Sequence, residues 1–188
     1  TPTPVWSVHP GASGRAFVPA EHVTGISPTG GRPAAEYTVR DASHTLAEVK
    51  LWSHGATRNS SDDDDGATVI RVGFEIQNLS AVPVRLDTQS HELRDVELEE
   101  GRIESVPLLR GEGTSGIAAG RGGQVAAAFR LPGDVWPSEI KSYRVAWALT
   151  NGGTHRHKTR FLGIVREYDP WPPPYYYSYP PPYYYPYY

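Results

Sequence analysis

The chain has no cysteine and no methionine among its 188 residues. Without cysteine there can be no disulfide, thiol nucleophile or thiolate metal site, so any core must hold by packing alone, which a segment of about 130 residues can manage. Without methionine the sequence does not begin at an initiator residue. Its opening, Thr1, Pro2, Thr3 and Pro4, is expected to be the mature end left by signal-peptide cleavage, although a trimmed chain would begin in the same way. Neither sign of charge dominates. The 18 basic and 21 acidic residues leave a net charge of −3, whereas a nucleic-acid partner calls for clustered Lys and Arg. No run approaches the roughly 18 apolar residues of a membrane-spanning helix. Long helical stripes are also missing, and the best helical candidate is a single turn near residues 137–140.

What the chain does have is period-2 alternation. Between Tyr37 and Arg166 short apolar-polar runs are broken by turn residues. In 69–78, Ile70, Val72, Phe74 and Ile76 fall on one face, with Arg71, Glu75 and Gln77 on the other, the pattern of a half-buried strand. Val82, Val84 and Leu86 repeat it after the break at Leu79, Ser80 and Ala81. So do Val125, Ala127, Phe129 and Leu131, and again Tyr143, Val145, Trp147 and Leu149. Ala47, Val49 and Leu51 suggest another strand, and 159–165 a last one beyond the turn at Asn151, Gly152 and Gly153. Leu93, Val96 and Leu98 are out of phase, which predicts a bulge or strand break. Seven or eight such strands predict an all-β, antiparallel, immunoglobulin-like β-sandwich.

The run 68–80 (TVIRVGFEIQNLS), followed by Val82, Pro83, Val84, Arg85 and Leu86, resembles a hairpin of immunoglobulin-like sandwiches in secreted bacterial proteins. It is also similar to water-stress and desiccation-related sandwich domains, whose apolar strand ends in Asn and a small polar residue. Phe129 to Pro132 and the strand from Tyr143 to Leu149 sit where such domains place their closing strands, so the resemblance spans residues 45–166. It implies a binding or scaffolding domain and no catalytic residue. The Cys…Trp…Cys signature of antibody-type domains is missing.

Three regions are expected. Residues 1–35, with six Pro and five Gly, read as an extended arm that carries apolar points such as Trp6. Residues 36–167 form the sandwich, and residues 168–188 a Pro/Tyr-rich tail without a clear family. From 170 to 188 the tail contains eight Pro, nine Tyr, one Trp and one Ser. Residues 172–179 (PPPYYYSY) and 180–187 (PPPYYYPY) are an octad repeat matching at seven positions. Pro triplets favour extended polyproline II, which loses little entropy on docking, and Tyr suits wet interfaces. A disordered low-complexity tail is the alternative, but such segments are poor in aromatics and this one is rich in them.

Other constellations carry less. Asp62, Asp63, Asp64 and Asp65 lack the spacing of an EF-hand calcium loop. His155 and His157 would share a strand face without an evident third metal ligand. Glu97, Glu99, Glu100 and Glu104 look like a solvated edge. The Gly-rich 111–123 is read as a flexible loop, since no phosphate-binding Lys-Ser/Thr follows it. Asn59 and Asn78 fit the glycosylation sequon. PPxY ligand matches in the tail follow from its repeat, and Tyr cross-linking is chemically open.

The expectation is therefore a non-enzymatic structural subunit of an extracellular or cell-envelope assembly, without cofactor, metal or catalytic residues. Its partners would be copies of itself and other envelope proteins. The contact would be carried by Trp171, Tyr175, Tyr176, Tyr177, Tyr179, Tyr183, Tyr184, Tyr185, Tyr187 and Tyr188, with Trp6 from the arm. The alternative is a secreted recognition module for glycan or a protein.

Overall fold

The computed structural model describes residues 13–28, 31–58, 66–113 and 116–164. The chain forms two antiparallel sheets packed as a β-sandwich. In chain order the strands are β1 (Ser13–Arg15), β2 (Phe17–Pro19), β3 (Val23–Ile26), β4 (Pro33–Asp41), β5 (His44–Arg58), β6 (Thr68–Asn78) and β7 (Val84–Leu86). They continue with β8 (Glu92–Leu98), β9 (Arg102–Pro107), β10 (Arg110–Gly113), β11 (Gly116–Ile117), β12 (Gly122–Arg130), β13 (Ile140–Thr150) and β14 (Thr154–Gly163). The first sheet runs β10-β12-β6-β5-β4-β3, with β1 added to β5. The second runs β11-β7-β13-β14-β2, with β8 beside β13 and β9 outside β8. Among the described residues no helix is long and apolar enough to cross a membrane.

The alternation fills the core as expected. Ile70, Val72, Phe74 and Ile76 of β6 are fully buried, and Tyr143, Val145, Trp147 and Leu149 of β13 face them from the second sheet. Phe74 meets Trp147 edge-on at 6.1 Å between ring centroids. A bulge in β5 between Ser53 and Gly55 lets that strand pair with both β6 and β1. Gly55 sits at φ +93°, and a Cβ there would lie 2.7 Å from the Arg15 carbonyl oxygen. Ser53, just before the bulge, follows Val49 and Leu51 on the inward face, where its Oγ meets the buried Tyr143 hydroxyl at 2.7 Å and ties the two sheets together. On the outer face of the first sheet the Trp52 ring lies flat on Gly73, where a Cβ would come within 2.4 Å of it.

Several expectations need correcting. Among the described residues there are fourteen strands rather than seven or eight, because two- to four-residue strands are too short to show a period. Within the span expected as an arm, β1, β2, β3 and the start of β4 join both sheets, so the sandwich begins well before residue 36. Residues 1–12 and 165–188, including Trp6 and the whole tail, lie outside the described residues, as do Asn59 and Asp62 to Asp65. The Gly-rich 111–123 carries the end of β10, all of β11 and the start of β12, and it passes from the first sheet to the second and back. Val82 is exposed in the turn before β7. The phase break in β8 is a bulge against β13, with Asp95 at φ +50°. A 3-10 turn occupies Pro137–Glu139.

Asn78 is a structural residue, not an accessible sequon. It is fully buried, its amide donates to the carbonyls of Val82 and Ile117, and its Oδ1 accepts from the Ser80 amide and hydroxyl. It thus clasps the end of β6, the following turn and β11. Asn78→Ala strands the buried Ile117 carbonyl and removes the clasp on the turn, and is expected to lower the unfolding free energy by about 1–3 kcal/mol, measured by urea denaturation.

Candidate functional site

The inner face of β14 contributes His155, His157, Thr159 and Phe161, in register with Leu149, Trp147, Val145 and Tyr143. The outer face of the same strand therefore presents Arg156, Lys158 and Arg160. Register extends this row across the sheet. Arg144 of β13 lies between Arg94 of β8 and Arg160 of β14, and Ala146 lies between Glu92 and Lys158. Because Ala146 is small and its neighbours are long, the sheet surface dips there. The result is a shallow groove of about 520 Å³ lined by Ser90, Glu92, Arg94, Ala146, Arg156 and Lys158.

This face is cationic in a chain whose net charge is −3. Arg85, Arg94, Arg102, Arg144, Arg156, Lys158 and Arg160 outnumber Glu92, Asp95, Glu97 and Glu104. The β8 bulge lets Asp95 bridge Arg102 and Arg144, the latter at 3.1 Å, while Glu92 pairs with Arg94 at 3.1 Å and Glu97 with Arg160 at 3.8 Å. Exposed pairs of this kind contribute little to stability, about 0–1 kcal/mol each. They do separate three arginines that stand side by side. Among the described residues Arg85, Arg156 and Lys158 have no carboxylate partner, so their charge faces solvent. Such a face suits an anionic or π-rich partner.

His155 and His157 do share one strand face, but neither is poised for metal. His155 Nε2 is 3.2 Å from Asn151 Oδ1, and His157 is stacked on Trp147 at 4.5 Å with Tyr37 at 5.7 Å. Burial, then the neighbouring His155, hold the His157 pKa below its usual value. Tyr37 links the sheets by accepting a hydrogen bond from Thr159, whose Oγ1 in turn accepts from Trp147 Nε1. Among the described residues no three His, Asp or Glu come together to hold a metal ion. Glu97 is engaged with Ser142 and Arg160, while Glu99, Glu100 and Glu104 are exposed, as expected of a solvated edge.

A second surface feature is Trp136, 46% exposed, on the loop before β13. The Arg58 guanidinium lies 4.1 Å from its ring centroid and also pairs with Asp134. Both surface features were missed in sequence. The signal for the first was the triplet of cations at alternate positions, Arg156, Lys158 and Arg160, interleaved with the two histidines. The site residues that were expected, Trp6, Trp171 and the tail tyrosines, lie outside the described residues.

No protein-family model matches the sequence, and no curated protein does. The chain is similar to a solved structure, a FixG-related protein from Vibrio parahaemolyticus, at 12% identity and a TM-score of 0.37. That similarity covers 63% of this chain and 97% of the other.

His91, next to the groove's Ser90 and Glu92, is the most perturbed base. It is buried, stacked on Phe74 at 5.1 Å, and neither ring nitrogen has a partner among the described residues. Burial pushes its pKa down to about 4, against the opposing pull of Asp87. Above pH 6.5 the ring is neutral folded or unfolded. As pH falls from there to about 4 only the unfolded chain takes the proton, so stability is lost across that window, by roughly 3 kcal/mol. His91→Phe, which keeps the stacked ring, is expected to remove that part of the pH dependence when urea midpoints are compared at pH 7 and pH 4.5.

Proposed function

We propose that this chain is a structural subunit of an extracellular or cell-envelope assembly, whose sandwich is the body and whose Pro/Tyr tail docks on neighbouring copies. The observation that carries this reading is the tail itself. An uncharged segment of Pro, Tyr, one Trp and one Ser, organised as an octad repeat, follows closely on the last strand of the sandwich. Rings in that number lose hydration favourably when covered, and pre-extended Pro triplets reduce the entropy lost in covering them. The chain leaves β14 past Leu162 and Ile164, which are 37% and 39% exposed, so apolar surface continues from the body toward the tail. The resemblance to scaffolding sandwiches of secreted bacterial proteins agrees with this reading, as does a core that needs no disulfide.

Removing residues 169–188 is expected to leave the melting temperature within a few degrees of the full chain while abolishing association in light scattering. Equal association with and without the tail would sink the proposal.

Glycan recognition is the second reading, favoured by Trp136. Its ring is half exposed, backed by Arg58 and flanked by Asp134, an arrangement suited to stacking one sugar face and bonding its hydroxyls. If this reading holds, glycan-array binding by the full chain disappears in Trp136→Ala and persists when the tail is removed.

A further inference from the structure

A docking tail needs an acceptor, and the sandwich offers one surface that matches the tail's chemistry. We infer that the tyrosine rings of residues 170–188 of a neighbouring copy seat in the groove over Ala146, between Arg156 and Lys158 on one side and Arg94, with Glu92 held in its ion pair, on the other. This rests on the assembly reading above and names the surface that would receive the tail.

Complementarity comes first. The tail brings no charged side chain between residues 170 and 188, so its side chains cannot meet the groove by ion pairing. It brings ring faces, whose negative quadrupole attracts guanidinium and ammonium groups and is repelled by carboxylates. Arg156 and Lys158 are exposed and lack a carboxylate partner among the described residues, so engaging a ring breaks no existing pair. Arg94 and Arg144 keep pairs with Glu92 and Asp95 and are 48% and 45% exposed along the side chain, leaving their planar faces open.

Shape comes second. Ala146 forms the floor of a shallow groove of about 520 Å³, wide enough for a flat ring to rest on the sheet between long side chains. Cations at alternate positions along β14 repeat about every 6.6–6.8 Å, and consecutive Pro or Tyr residues in polyproline II advance about 3.1 Å, so a Tyr triplet extends over one such interval.

Direction favours a neighbour's tail. β14 runs from the groove end, Thr154, to Gly163, so the chain leaves the body at the far end of the face. A chain's own tail would have to double back through a Pro-rich root that resists bending. A tail from another copy needs no reversal.

The test uses the full chain. Ten of its twelve Tyr lie at or after Tyr168, and of the other two Tyr143 is fully buried and Tyr37 half-buried, so nitration by tetranitromethane reads the tail. The variant is R156Q/K158Q, and the control is R40Q/R121Q, which makes the same charge change at exposed sites away from the groove. In the assembled wild type the tail tyrosines are expected to nitrate several-fold more slowly than in a free peptide of residues 170–188. R156Q/K158Q should lose that protection and associate about tenfold more weakly in light scattering, at an unchanged melting temperature. R156K/K158R should restore both, and R40Q/R121Q should behave as wild type. If R156Q/K158Q keeps protection and association while tail removal abolishes association, the tail seats elsewhere and this inference falls, with the assembly reading intact. If tail removal changes nothing, the assembly reading itself falls.

Discussion

The whole arrangement depends on the packing of two central strands, β6 and β13, across the space between the sheets. Phe74, Ile76, Tyr143 and Trp147 are fully or almost fully buried there, and with no cysteine in the chain this apolar interlock must offset the ordering cost of every other element. Apart from the ring nitrogens of His91, which have no partner among the described residues, its polar groups are satisfied locally. Ser53 meets the Tyr143 hydroxyl, Thr159 bridges Trp147 and Tyr37, and Asn78 serves four partners at the end of β6. Each of these contacts also fixes register, because a slip of one residue would turn the apolar set outward.

The same alternation that buries Trp147 and Phe161 exposes the cations beside them. A strand that spends every second residue on the core has the intervening residues free for another purpose, and in β14 these are Arg156, Lys158 and Arg160. Three arginines abreast on β8, β13 and β14 would repel one another without Asp95, which the β8 bulge swings toward Arg102 and Arg144. The bulge thus has two consequences. It keeps both Leu93 and Val96 in the core, and it holds the cationic row in place.

The proposed assembly combines a body that has a charged, shallow face with a tail of rings. The body supplies geometry, since its strands hold the cations at fixed intervals. The tail supplies reach and apolar area with little charge of its own. Neither half needs a reacting group for this purpose, and the buried His91 and the half-buried His157 are occupied in aromatic stacking.

From the sequence alone came the all-β architecture, the long strands β5, β6, β12, β13 and β14, the fault in β8 and the turn at Pro137, because period-2 burial over four or more residues leaves a pattern that no other structure produces. The tail's composition was equally plain. Only the tertiary structure could decide that β1, β2, β3, β10 and β11 are strands, since segments of two to four residues owe their conformation to the ladder they join rather than to any pattern of their own. It alone showed that Asn78 is buried beneath its turn. It alone brought Arg94, Arg144 and Lys158 to one face, because residues far apart in sequence become neighbours only when strand order and register are set.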